Sequence, residues 1–260
     1  VGFDLLGLSL DFAGDEVTVE RTPHHVGVVL NSATGVEVNL PQNPKCNSAT
    51  AGLVQLIVDK NLDFGFSVSI KKGIPMGSGM GGSAASAVAS IVAANEFLEV
   101  KLSPAELLHY ALLGEFVATG AAHADNIAPS LFGGMTLAQV ETPPTQSSQK
   151  QSSQTPSSQT STASPQVASV MTPVHVVKLP LPQGLHLVLI HPHLQIKTKD
   201  ARQVLNSHVS LQDFVTQSAH LARFISACYT DNLKEFKNSL QDFIIEPQRQ
   251  HLIPGFKKKK

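Results

Sequence analysis

Short runs of alternating hydrophobic and polar residues occupy most of the first part of the chain. This period of two is typical of β-strands with one buried face. The run FSVSI and the apolar segment LHLVLIHP extend the same signal to later positions. Because turn residues separate the first runs, we expect those strands to form an antiparallel sheet. The strands are predicted at 4–12, 15–21, 25–32, 35–41, 64–70 and 185–192.

Hydrophobic residues at helical spacing predict helices between and after these strands. The helix that begins near Ser103 has the clearest start, because serine caps free N–H groups and Pro104 suits the first helical position. Strands come first and helices are interspersed without regular βαβ alternation, so the pattern predicts an α+β fold. The helices are predicted at 47–60, 83–98, 103–119, 211–230 and 232–245.

Residues 141–173 interrupt this pattern with a segment made mostly of Ser, Thr, Gln and Pro. Such a segment has too few apolar side chains to offset the entropy lost on ordering, so we predict a disordered insertion. LFGGMTLAQV before it and VHVVKLPL after it both resemble strands of one sheet. We therefore expect the insertion to interrupt a hairpin inside a domain. A partner-binding segment is the less favoured alternative, since surface loops tolerate insertions well.

The charge balance excludes some classes of protein. The 260 residues carry a formal net charge of −1, which disfavours nucleic-acid binding because such binders need a basic surface. We interpret the lysines at 257–260 as a solvated tail. Cys46 and Cys228 have neither zinc-site nor disulfide-scaffold spacing, so we expect free thiols in a reducing compartment. No apolar run is long enough to span a bilayer, and we expect a cytoplasmic protein. An organellar location stays open because residue 1 is not methionine.

The stretch IPMGSGMGGSAASA at 74–87 lies between a predicted strand and a predicted helix. Its glycines at 77, 79, 81 and 82 allow positive φ and a close approach of the backbone to a ligand. Ser83 begins a helix whose first N–H groups and positive dipole end favour an anion. A flexible turn before an alanine-rich helix is the other interpretation, and the glycines alone do not decide between the two.

Two common glycine motifs fit this stretch poorly. The pattern G-x-x-x-x-G-K-[ST] fails because no lysine follows the last glycine. GSGMGG satisfies the dinucleotide pattern G-x-G-x-x-G, but the preceding strand is predicted to have a polar face and Pro75 intervenes. Glu96 and Glu99 fall in or at the end of a helix, where they cannot end a second strand. Dinucleotide binding is therefore disfavoured.

A third pattern fits better. Residues 75–85 resemble the phosphate loop P-x-x-x-G-L-G-S-S-A-A of the GHMP kinases, and the chain is most similar to the homoserine kinases among them. Further segments resemble that group in the same order along nearly the whole chain. Several matches in the same order identify a family more specifically than one glycine motif does. The further segments are VGFDLLG at 1–7, GEFVATGAAHADNIAPSLFGGM at 114–135, IKTKDARQVL at 196–205 and IIEPQRQHLIPGF at 244–256.

This resemblance implies a two-domain GHMP kinase fold. An N-terminal mixed α/β sandwich with the phosphate loop would span 1–183, and a ferredoxin-like C-terminal domain 184–260. The implied reaction transfers the γ-phosphoryl group of ATP to the hydroxyl of L-homoserine, giving O-phospho-L-homoserine for threonine biosynthesis. The implied partner is this small molecule, without nucleic acid or membrane, and a homodimer is left open. A kinase for another small alcohol and a non-catalytic binding protein of the same fold are the alternatives.

The resemblance also implies roles on the nucleotide side of the site. Mg²⁺ would be held by Ser83 and Glu115, whose hydroxyl and carboxylate are hard oxygen ligands suited to an ion bridging two phosphates. Asn47 has an equally good alternative role as the N-cap of its own helix. The residues implied in ATP binding are Asn47, Pro75, Gly77, Ser78, Gly79, Met80, Gly81, Gly82, Ser83 and Ala84.

On the substrate side, the resemblance implies two arginines for the homoserine carboxylate, Arg202 and Arg249, since guanidinium groups bind carboxylates through paired hydrogen bonds. Asp4 would lie near the amino and hydroxyl groups of the substrate, and His123 and Asn126 would make further contacts. Asp4 and Arg202 form the implied catalytic set. No general base is assigned, since positioning and charge neutralisation dominate such transfers.

The sequence departs from the family pattern in three places. Gly82 stands where the family usually has serine, which removes a hydroxyl without adding bulk. The chain also begins inside the family's first motif and ends before its third, glycine-rich motif. We therefore expect a fragment with an incomplete C-terminal domain and with reduced or no activity.

Overall fold

The computed structural model describes residues 5–120, 122–140, 173–190, 194, 196, 201 and 203–256. Asp4, Arg202 and nearly all of the predicted insertion at 141–173 lie outside these residues. The strands are β1 Leu6–Leu8, β2 Glu16–Pro23, β3 Val28–Gly35, β4 Phe64–Lys72, β5 Met135–Val140 and β6 Val174–Leu179. The α-helices are α1 Ser48–Asp59, α2 Gly82–Asn95, α3 Pro104–Thr119, α4 Ala124–Phe132, α5 Leu211–Tyr229, α6 Leu233–Ser239 and α7 Ile245–Arg249.

The strands form two three-stranded sheets, in the orders β2-β4-β3 and β1-β5-β6. β2 pairs antiparallel with β4, but β3 runs parallel to β4. The expected antiparallel sheet was therefore wrong for β3. The reason is that α1 lies between β3 and β4 in the chain, and a helical crossover returns the next strand in the same direction.

The main core lies between the first sheet and the helices packed on it. Phe66, Val68 and Ile70 on β4 are at most 2% exposed, and they pack with Leu53 of α1 and Ile91 of α2. Burying each such side chain contributes roughly 1.5–3 kcal/mol. β4 is thus the central strand of its sheet, and Ser67, Ser69 and Lys71 form the polar face predicted for it, which is less buried than the apolar face. It remains unlike a dinucleotide-fold strand, because one of its neighbours is antiparallel.

The second sheet confirms the predicted pairing around the insertion. β5 and β6 pair antiparallel over six residues, so the segment between them interrupts a hairpin. β1 pairs antiparallel with the other edge of β5. Phe224 of α5 and Phe236 of α6 pack with Met135 and Leu179 against this sheet. The structure thus joins the C-terminal helices to the strands that flank the insertion.

Other predicted elements differ in the structure. Residues 36–41 form a loop after β3, and 185–190, the described part of the strand predicted at 185–192, have no regular structure. Val188 in this segment is 85% exposed. The helix predicted at 232–245 ends at Ser239, and α7 follows separately. The remaining predicted helices are present, with ends shifted by at most three residues.

The helix α4 was not predicted, since it is short and contains Pro129. Within the described ranges, no helix is long and apolar enough to cross a membrane. Cys46 and Cys228 are free thiols, as expected.

Candidate active site

A cleft of about 980 Å³ opens where α2, α3, α4 and β1 approach one another. Residues 73–81, which join β4 to α2, lie along one wall; this segment is here called the phosphate loop. The cleft is also lined by 6–10 around β1 and by side chains of α3 and α4, and it contacts Asp15 and Lys72 beneath the loop. A volume of this size accommodates a nucleotide or a comparable ligand.

The backbone of the phosphate loop requires its glycines. Gly77, Gly79 and Gly81 have φ of 71°, 75° and 69°, a left-handed region that other residues occupy at a cost. A Cβ at Gly77 or Gly79 would meet nothing within 4 Å, so conformation and not space selects glycine there. Gly81 is the N-cap of α2, and among the described residues no side chain caps this helix. Its first N–H groups are therefore available at the cleft wall.

Ser83 and Glu115 meet at the start of α2. Ser83 Oγ, in the first turn of α2, donates a hydrogen bond to Glu115 Oε2 of α3 at 2.6 Å. Glu115 is only 2% exposed, although it lines the cleft. The structure thus brings together the two residues implied as magnesium ligands, 32 positions apart in the chain.

His123 extends this contact into a buried polar chain. Its Nδ1 lies 3.1 Å from Glu115 Oε1 and 3.2 Å from the hydroxyl of Thr119. Thr119 in turn donates to the backbone carbonyl of Glu115 at 3.0 Å. The carboxylate of Glu115 is thereby held from both oxygens, which fixes its orientation toward the cleft.

Helix α4 positions the other predicted substrate residue. Asn126 lies in its first turn and lines the cleft. A Cβ placed on Gly81 would be 3.2 Å from Asn126 Oδ1, so the asparagine lies directly against the end of the phosphate loop. His123 and Asn126 therefore lie in one cleft with Ser83 and Glu115.

Some sequence-predicted site residues lie elsewhere. Asn47 caps α1, since its Oδ1 accepts from Ala49 N at 2.9 Å and its Nδ2 donates to Pro41 O at 3.0 Å. It does not line the cleft, and neither does Ala84, whose side chain is buried among α2, α3 and α4. Arg249 Nε donates to Ala201 O at 3.0 Å, also away from the cleft lining.

The phosphate-loop residues predicted for ATP all line the cleft, whereas Asp4 and Arg202 fall outside the described residues. The cleft-lining set is Pro75, Gly77, Ser78, Gly79, Met80, Gly81, Gly82 and Ser83.

A buried pair formed by Asp15 and Lys72 was not predicted from the sequence. The Asp15 side chain is fully buried and Lys72 is 5% exposed, and the two form an ion pair under the phosphate loop. A signal for Lys72 was present, because alternation along β4 puts it on the same face as Phe66, Val68 and Ile70. A lysine that continues a buried face is rarely left without a partner.

The chain is similar to known proteins over nearly its whole length. Residues 48–134, which include the phosphate loop, Ser83, Glu115 and Asn126, match the family described as GHMP kinases N terminal domain. Over 258 residues the chain is 39% identical to a homoserine kinase of Xylella fastidiosa strain 9a5c, covering 98% of this chain and 69% of that protein.

A second homoserine kinase and a crystal structure are also similar to this chain. A homoserine kinase of Xanthomonas campestris pv. campestris strain B100 is 36% identical over 256 residues, covering 98% of this chain and 69% of that protein. The crystal structure of homoserine kinase from Cytophaga hutchinsonii superposes with a TM-score of 0.79 at 33% identity, covering 99% of this chain and 72% of that one. The chain therefore belongs to the GHMP kinase family and, within it, to the homoserine kinases.

Proposed function

We propose that this GHMP kinase transfers the γ-phosphoryl group of ATP to the side-chain hydroxyl of L-homoserine. The product is O-phospho-L-homoserine, a precursor in threonine biosynthesis. One observation carries the proposal: the uncapped start of α2 and the Ser83–Glu115 pair face a single cleft together with Asn126. The homoserine kinases to which the chain is similar supply the identity of the acceptor.

The phosphate loop and the start of α2 are suited to the triphosphate of ATP. Backbone N–H groups at a helix start bind anions, because they lack intrahelical acceptors and the helix dipole is positive there. Positive φ at Gly77, Gly79 and Gly81 changes the direction of successive amides without adding side chains between backbone and ligand. ATP is thus the anion that this wall of the cleft would hold.

The donor set at the cleft fits Mg²⁺. The ion takes hard oxygen ligands and keeps several positions for water and substrate phosphates, so one carboxylate and one hydroxyl suffice. Among the described residues no group of three or more His, Cys, Asp or Glu could hold a metal ion. The residues that would hold the ion are Ser83 and Glu115. When bound, it supplies positive charge that neutralises the β- and γ-phosphates.

Catalysis by this chain's own residues then rests on positioning. His123 and Thr119 orient Glu115, while Asn126 lies where the acceptor would meet the loop. Holding two reactants in line supplies much of the rate enhancement of a phosphoryl transfer. Contacts of Asp4, Arg202 and Arg249 with the amino acid, and of Asn47 with the nucleotide, remain predictions from the resemblance.

A product assay tests the proposed function. The chain is incubated with ATP, Mg²⁺ and L-homoserine, beside the same chain joined to the segments of the Xylella fastidiosa homoserine kinase that it does not cover. O-phospho-L-homoserine is measured by ³¹P NMR, with L-serine, mevalonate and galactose as other acceptors. We expect homoserine to give the highest kcat/KM. A faster reaction with another alcohol, or ATP binding by the extended chain without transfer to any of them, would contradict the proposal. The Glu115→Gln variant shows whether product arises from this site.

A further inference from the structure

A buried polar cluster lies beneath the phosphate loop and is not used by the proposed reaction. It consists of Asp15 before β2, Lys72 at the end of β4 and Ser86 in α2, and is here called the brace. Lys72 Nζ forms an ion pair with Asp15 and donates to Ser86 Oγ at 3.1 Å. Ser86 Oγ donates to Asp15 Oδ2 at 2.5 Å. The three side chains are therefore mutually hydrogen-bonded.

The brace contacts both ends of the phosphate loop. At the beginning of the loop, Asp15 Oδ1 accepts from the backbone N–H of Gly73 at 3.0 Å and of Ile74 at 3.2 Å. At the other end, Lys72 Nζ donates to the carbonyl of Gly82, the first residue of α2, at 2.8 Å. A single ion pair thus fixes the distance between the two ends of the phosphate loop.

We propose that Asp15 and Lys72 are positioning residues for nucleotide binding, holding the phosphate loop in its binding conformation before ATP arrives. The inference rests on the proposed function, because it takes ATP as the ligand of the loop. Neither side chain needs to touch the triphosphate. They act through the backbone at Gly73, Ile74 and Gly82.

The composition of the loop explains why it needs such support. Glycines at 77, 79 and 81 allow many backbone conformations, and ordering them on binding would cost free energy. Fixing both ends of the loop in advance removes part of that cost, and this preorganisation increases the affinity for the ligand. Net stability explains the brace less well, because buried ion pairs contribute little more than well-packed apolar side chains of the same size.

The same two strands carry a matched control pair. Lys71 and Glu16 are the chain neighbours of Lys72 and Asp15, and they form an ion pair at 3.3 Å. Their side chains are 64% and 76% exposed. Because side chains alternate along a strand, this pair points to solvent while the brace points under the loop.

The experiment compares two double variants of the full chain. The brace variant combines Asp15→Asn with Lys72→Met, which removes both buried charges so that neither is left uncompensated. The surface variant combines Glu16→Gln with Lys71→Met, which removes the two exposed charges. ATP affinity is measured by calorimetric titration with Mg²⁺, and amide hydrogen exchange is followed across 73–83. We expect about tenfold weaker ATP binding and faster exchange in the loop for the brace variant alone.

The results separate the brace from its alternatives. A folded brace variant with wild-type ATP affinity would overturn the inference, and so would equal weakening in the surface variant. If the brace variant does not fold, Ser86→Ala tests the inference in its place. We expect this variant to bind ATP about threefold more weakly, and unchanged binding would overturn the inference. An extended chain that binds ATP without phosphorylating homoserine would reject the proposed function while leaving this comparison of affinities intact.

Discussion

Two helices of this protein begin in opposite ways. The start of α3 is satisfied by its own chain: the Ser103 hydroxyl accepts from the N–H of Glu106, and the Glu106 carboxylate accepts from the N–H of Ser103. Pro104 occupies the first turn, where a missing N–H is harmless. Lys60, which directly follows α1, adds an ion pair to Glu106 at 2.5 Å.

The start of α2 has none of these devices. Gly81 precedes it in a left-handed conformation, and no side chain of the described residues caps it. Its first turn faces a cleft, and the Glu115 carboxylate in that cleft accepts from the Ser83 hydroxyl. The start of α3 therefore uses its polar groups for stability, whereas the start of α2 leaves its polar groups available to a ligand. Changes at the start of α2 should affect activity, and changes at the start of α3 should affect folding.

The sharpest test replaces the acid at each helix start. Glu115→Gln should lower kcat by about 100-fold or more, because the proposed metal loses the carboxylate that would hold it. Steady-state phosphorylation of homoserine measures the effect. Glu106→Gln is the control and should leave kcat unchanged. Similar turnover in the two variants would remove Glu115 from the site.

The second test adds a methyl group at two left-handed glycines. Gly81 ends the phosphate loop and Gly120 ends α3, with φ of 69° and 75°. Replacing either by Ala should cost about 1–2 kcal/mol of stability, measured by urea unfolding. Only Gly81→Ala should also weaken ATP binding, by about tenfold, because its Cβ would press on Asn126 and shift the loop. Equal ATP affinity in both variants would contradict the role of the loop.

The third test compares two serines. Ser103→Ala removes the cap of α3 and should lower the free energy of unfolding by about 1 kcal/mol without changing turnover. Ser83→Ala should show the reverse, with reduced turnover and little change in stability. Thermal unfolding and the phosphorylation assay on both variants provide the measurement. A Ser83 variant that loses stability and keeps its turnover would mean that its hydroxyl serves the fold.

The smallest expected effect is a pH dependence at α3. The hydrogen bond from Lys60, followed by those from Ser103, lowers the pKa of Glu106 from 4.5 to about 2. A lowered folded-state pKa stabilises the fold above pH 4.5, and this contribution is lost as the pH falls toward 2. Because the pair is exposed, we expect only roughly 0.5 kcal/mol. Urea unfolding measures the free energy of unfolding of the wild type and of Glu106→Gln at pH 6 and at pH 3. We expect the difference between the two proteins to be smaller at pH 3.

Local features of the fold were predictable from the sequence. Ser103 and Pro104 predicted the start of α3, and the apolar runs on each side of the insertion predicted the β5–β6 hairpin. The resemblance around 75–85 and 114–135 pointed to Ser83, Glu115, His123 and Asn126, and all four line one cleft. The helix start and the hairpin were predicted correctly because each depends on a short pattern with its own physical cause, a cap or an alternation. The roles of the four cleft residues stay predictions.

Other features could not be predicted because they depend on contacts distant in sequence. The parallel direction of β3 follows from the crossing of α1, and α4 is a helix despite Pro129 because it packs against β1 and β5. The amide of Asn47 could have capped α1 or faced a nucleotide, and its bonds to Ala49 and Pro41 show the cap.

The local chemistry of this protein follows from its sequence alone, which indicates where helices can begin, which glycines can adopt the left-handed region and which family the motifs resemble. The polar groups shared between distant segments depend on the tertiary structure. Lys72 and Asp15 are 57 positions apart, and nothing local to either one indicates the other. Their pairing under the phosphate loop depends on the register of β2 against β4 and on the packing of α2, because a charge is buried only where the fold supplies its partner.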